Sequence, residues 1–94
     1  MHATPDLDYF ASRLDAPAAL ADAPGVELVL FEAVPIQHSA PGRPGFSLMF
    51  RGPLAPQLEQ ATYALRWPGQ PTLDIFLVPV ARTDHAMHYQ AIFN

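Results

Sequence analysis

Short apolar runs, each cut off by proline or glycine, set the limits on how this 94-residue chain can fold. Phe46, Ser47, Leu48, Met49, Phe50 and Arg51 alternate, which places Phe46, Leu48 and Phe50 on one face of an extended strand before Gly52 and Pro53 stop it. In the stretch from Ala61 to Trp67, Tyr63, Leu65 and Trp67 share a face, and Pro68 with Gly69 supplies the following turn. Thr72 to Val80 contains Ile75, Phe76, Leu77 and Val78; Pro79, which has no N–H for the ladder, predicts a sheet edge or a bulge near its end. A last strand is predicted over Met87 to Phe93, entered through Thr83, Asp84 and His85. The first strong strand is Val26 to Val34, bracketed by Pro24-Gly25 and Pro35. Its middle is apolar on both faces, which predicts a central place in the sheet or one beneath a helix.

The remaining segments are weaker. Thr4, Pro5 and Asp6 read as a helix start, with Thr4 as cap, Pro5 at the first helical position, and Asp6 and Asp8 at the positive end of the dipole. A helix over about residues 5–13 lays Leu7, Phe10 and Leu14 on the core, and being so short it must pack on a sheet. Residues 15–25, rich in alanine, proline and aspartate, predict a connection with a weak edge strand at Ala18 to Asp22, or else a disordered linker. His38 to Gly45, with Pro41, Gly42 and Pro44, predicts a surface loop. Residues 54–60 have room for one helical turn. Strands that follow one another without amphipathic helices between them favour antiparallel connections. The expectation is one mainly β domain over residues 1–94, a small antiparallel β-barrel or rolled sheet of five to six strands with a short N-terminal helix.

Composition narrows the function by exclusion. The formal charge is −4, and the basic residues are five scattered arginines, Arg13, Arg43, Arg51, Arg66 and Arg82. Nucleic-acid binding starts from clustered positive charge, so no nucleic-acid partner is expected, and a polybasic membrane patch is missing for the same reason. Cysteine is absent, which removes disulfides and thiolate chemistry. No apolar run approaches the length of a spanning helix, so membrane insertion is not expected, and Met1 to Asp6 has no signal-peptide pattern. Synthesis in the cytoplasm is expected, with the final location left open.

No catalytic constellation stands out. Asp84, His85 and His88 are the nearest to a metal motif, but residues three apart on a strand point to opposite faces, so no metal site is expected. His2 and His38 are isolated. Ser12, Ser39 and Ser47 lie in no strand-turn-helix elbow. Glu27, Glu32, Glu59 and Asp74 read as solvent-facing strand charges, and the dispersed glycines form no phosphate cradle. No enzyme activity, cofactor or small-molecule ligand is expected. Four residues are singled out as interface or ligand contacts. Tyr63, Trp67 and Tyr89 pair an apolar body with a polar tip. Arg51, closing a hydrophobic strand beside a Gly-Pro turn, suits either an ion pair with Glu59 or another acid, or an anionic ligand.

The order Phe46 to Pro53, Gln60 to Leu65, Phe76 to Val80 and Tyr89 to Asn94, ending on Phe93-Asn94, resembles a family of short bacterial proteins of unknown function. The resemblance covers roughly residues 26–94. Over residues 15–25 the chain departs from the family's more regular strand and turn. The resemblance implies no catalytic residue; it implies association with genes for phage-tail-like fibre and collar proteins. The leading expectation is therefore a non-enzymatic structural or assembly protein acting through protein contacts or self-association, with strand edges available for pairing. Such a protein suits a phage-tail-like fibre or another extracellular, virion-like assembly. The alternative is a carbohydrate- or peptide-binding module that uses the 38–45 loop with Trp67 or Tyr89 as a stacking platform.

Overall fold

The structure, a computed structural model, describes residues 5–36 and 45–93. Among these residues one helix, α1 (Leu7–Ala11), precedes six strands: β1 (Pro17–Leu20), β2 (Ala23–Pro35), β3 (Phe46–Gly52), β4 (Ala61–Arg66), β5 (Leu73–Arg82) and β6 (Met87–Phe93). Every pairing is antiparallel, and the order β1-β2-β3-β6-β5-β4 closes on itself as a barrel. The predicted fold class holds in its barrel form.

Alternation places the core. Phe46, Leu48 and Phe50 of β3 point inward, as do Ile75 and Leu77 of β5 and Met87, Tyr89 and Ala91 of β6. Side chains fill the interior of so small a barrel. The segment 15–25 is no linker, because Ala18 and Leu20 of β1 are buried and their strand pairs with both β2 and β4. Ala19 faces Arg66, Leu20 faces Leu65, and the Ala21 N–H reaches the Ala64 carbonyl at 2.9 Å. The same closure corrects the expectation of free strand edges: β1 joins a ring and is not an edge, and a closed barrel removes the outermost strands of an open sheet.

Two bulges explain irregular stretches of sequence. In β2 the register slips between Leu30 and Glu32, so Phe31 is an extra residue. Leu28 and Leu30 point inward before it, and the inward phase passes to Ala33 after it, where Ala33 faces Leu48. The strand's two-faced apolar character is this change of phase. In β5 the register slips between Pro79 and Ala81, so the proline marks a bulge and not an edge.

The two ends of the barrel close differently. α1 is shorter than expected, and its cap is Asp6, whose Oδ1 accepts from the Tyr9 N–H at 3.0 Å. Thr4, the expected cap, lies outside the described residues. So do His2, Asn94 and the expected loop apart from Gly45. Because the helix ends at Ala11, Leu14 does not continue the stripe and is 41% exposed. Phe10 alone is fully buried, with ring centroids 5.4 Å from Phe93, 5.8 Å from Phe46 and 5.9 Å from Trp67, and it stops one mouth. Over the other mouth runs the segment 53–60, which forms bends in place of the expected helical turn. Its Leu58 N–H donates to the Tyr89 hydroxyl at 2.9 Å.

Candidate interaction face

The alternation that fills the barrel also decides what its outside carries. His88, Gln90 and Ile92 of β6 point outward, as do Ser47, Met49 and Arg51 of β3, Phe76 and Val78 of β5, and Glu32 and Val34 of β2. Register lines them up. Ser47 faces Val34 on one side and Ile92 on the other, and the β5–β6 ladder begins at Val78 and Gln90, two residues along from Phe76 and Ile92. The neighbouring row runs Glu32, Met49, Gln90, Val78. Phe76 is 51% exposed, Ile92 50%, and Val34 40%. Two polar members of these rows meet: the Gln90 amide donates to the buried Ser47 hydroxyl at 3.1 Å. Exposed apolar side chains thus stand on β2, β6 and β5 of this face, with the polar Ser47 of β3 between Val34 and Ile92.

Polar residues stand at both ends of these rows. On one side Arg51 faces His88, whose ring lies 4.9 Å from that of Phe31. On the other side Asp74, exposed and two residues before Phe76, faces Ala64 on β4.

The four residues singled out from sequence divide differently. Trp67 and Tyr89 are 2% and 1% exposed, so neither offers its ring as a stacking platform. Their polar tips are used internally: the Trp67 indole N–H donates to the Ala16 carbonyl at 3.0 Å, and the Tyr89 hydroxyl accepts from Leu58. Tyr63 is half-buried, and its hydroxyl donates to the Glu59 carbonyl at 2.6 Å. Burial, reinforced by the charges of Glu59 and Tyr89, raises its phenol above the ordinary value of 10.0. Arg51 is exposed, and the acid that shares its shallow groove is Glu27, alongside Val29, Gly52 and His85.

Of the other candidates, His85 lies in the Thr83–Ala86 turn, whose N–H groups at His85 and Ala86 bond to the Thr83 hydroxyl. Ser12 donates to the Tyr9 carbonyl at the end of α1. Among the described residues, no three of His, Cys, Asp or Glu gather closely enough to hold a metal ion, and no helix is long and apolar enough to cross a membrane.

Phe76, Ile92 and Val34 were not singled out from the sequence. The available signal was an apolar residue at the outward phase, as in Ile75-Phe76-Leu77 and Ala91-Ile92-Phe93. Read without register, such runs suggest burial on both sides.

Fold and face together define a small closed β-barrel with a packed interior and an apolar outer band. Residues 5–93 match the family model described as Domain of unknown function (DUF6916), and the chain belongs to that family. The match takes in residues 15–25, where β1 lies. No curated protein and no solved structure matches the chain.

Proposed function

We propose that this protein is a non-enzymatic structural or assembly protein that works through protein–protein contacts, as a subunit or accessory of a phage-tail-like fibre or extracellular appendage. The observation that carries the contact reading is the outward row of Phe76, Ile92 and Val34. Large apolar side chains left about half exposed on neighbouring strands of one face support an interaction surface, whereas single scattered ones do not. The band stands on strands and not on loops, so a partner meets a preformed surface. The assembly context rests on the association with fibre and collar genes that the family resemblance implies.

Co-expression with the products of flanking genes, followed by affinity capture and negative-stain microscopy, tests this reading. The expected result is stable capture of a fibre or collar component by the native chain and loss of capture by Phe76→Glu. Failure of every flanking product to bind, or binding that Phe76→Glu leaves unchanged, counts against it.

A further inference from the structure

We propose that residues 5–20, which carry α1 and β1, are exchanged between two copies of this chain, so that each copy's segment closes the barrel of the other. This contact is independent of the outer face and lies at the seam between β1 and β4.

The connection from β1 to β2 is the hinge. Leu20 faces Ala23 across a two-residue turn of Ala21 and Asp22, whereas Ala19 faces Glu27, so Pro24, Gly25 and Val26 face no residue of β1. Two-residue hairpin turns that match the twist of their strands need positive φ, and for that they favour asparagine and glycine. Among the described residues Asp15 is the one non-glycine at positive φ, so neither Ala21 nor Asp22 supplies it. A turn without it splays its strands, and here the register slips beside the turn. Extending residues 21–25 relieves that mismatch and runs β1 straight on into β2. It also carries β1 away from its own β4.

The place the segment leaves is specific to the segment. Ala18 and Leu20 are buried, Phe10 fills the mouth among Phe46, Trp67 and Phe93, and the Ala16 carbonyl accepts from the Trp67 indole. The seam itself is short, since Ala19 with Arg66 and Leu20 with Leu65 are the facing pairs that join β1 to β4. A barrel whose segment has left presents an apolar mouth and a bare β4 edge. Their shape and hydrogen-bond pattern fit the same segment of another copy. Each of these contacts recurs in the exchanged dimer, so the two forms differ at the hinge and in the entropy of association. Phe10 and Leu20 must leave the core before they can exchange. Exchange is therefore slow in the folded chain and is set during folding at high concentration.

The chain has no cysteine, so introduced thiols report the seam alone. Ala19 and Arg66 face each other, the first half-buried and the second exposed, at a separation that a disulfide spans. Full-length Ala19→Cys and Arg66→Cys chains are mixed, unfolded in urea with reductant, refolded together from micromolar to millimolar concentration, and oxidised. Far-ultraviolet circular dichroism confirms that each variant folds. The expected result on non-reducing electrophoresis is a covalent heterodimer that rises with refolding concentration and exceeds the homodimers either variant forms alone. Both cysteines on one chain are expected to give an internal bridge after dilute refolding and a covalent dimer after concentrated refolding. Ala21→Asn with Asp22→Gly, which supplies the turn the hairpin lacks, is expected to lower the dimer yield severalfold. Phe76→Glu, on the outer face, leaves the yield unchanged. A heterodimer no more abundant than the homodimers at every concentration, a yield indifferent to the turn variant, or a yield that falls with Phe76→Glu overturns the proposal. Exchange without capture of any flanking gene product supports the exchange and counts against the assembly role; capture by a chain that never exchanges does the reverse.

Discussion

The indole N–H of Trp67 donates to the carbonyl oxygen of Ala16 at 3.0 Å, which ties the end of β4 to the residue before β1. These strands form the barrel's shortest register, with Ala19 facing Arg66 and Leu20 facing Leu65. The side chain thus closes the ring as well as filling it, since the same indole packs against Phe10 and Phe50.

Trp67→Phe keeps an aromatic ring but removes the donor. The half-buried Ala16 carbonyl then lacks its partner, and the expected loss is about 0.5–1.5 kcal/mol, that of one hydrogen bond. Urea unfolding followed by circular dichroism measures it. Hydrogen exchange is expected to rise first in β1, and uniform exchange across all six strands would contradict the latch.

Gly52 ends β3 beneath the side chain of Leu28. A Cβ at this position would stand 2.5 Å from Leu28 Cδ2, and Leu28 is fully buried with little room to give way. Gly52→Ala is expected to destabilise by about 1–3 kcal/mol through overpacking. Combined with Leu28→Ala it should cost less than the sum of the two single changes, because the clash is gone. Strict additivity in denaturant titrations would show that the two positions do not meet.

Tyr63 makes stability depend on pH in the alkaline range. Its phenol titrates above the ordinary value of 10.0 in the folded chain, chiefly through burial. Above pH 10 the unfolded chain therefore gives up this proton before the folded chain does, and stability falls as pH rises from the unfolded toward the folded value. Below that window the contribution is fully present. Tyr63→Phe is expected to flatten this alkaline decline and, by losing the bond to the Glu59 carbonyl, to cost about 0.5–1.5 kcal/mol near neutrality. Thermal melts across alkaline pH compare the two; identical slopes would exclude Tyr63 as the source.

Five of the six strands were legible in the sequence because alternation and proline–glycine punctuation are local signals. β3 and β6 fall where Phe46, Leu48, Phe50 and Met87 to Phe93 place them. β1 was the weak one, since Ala18 and Leu20 carry little apolar signal and become a strand only by bridging β2 and β4. The polar tips that distinguish Trp67 and Tyr89 in the sequence meet Ala16 and Leu58, residues 51 and 31 positions away in the chain. No local pattern reports a partner at that separation.

Patterning alone determined that this chain makes a β structure of short strands with Phe46, Leu48 and Phe50 on its inner side. Tertiary structure alone decided that the sheet closes, that the tryptophan is buried, and that Phe76, Ile92 and Val34 are left exposed on the outside. The reason is physical: a side chain's phase along its own strand is set by neighbours in sequence, whereas register and closure depend on pairing between strands far apart in the chain.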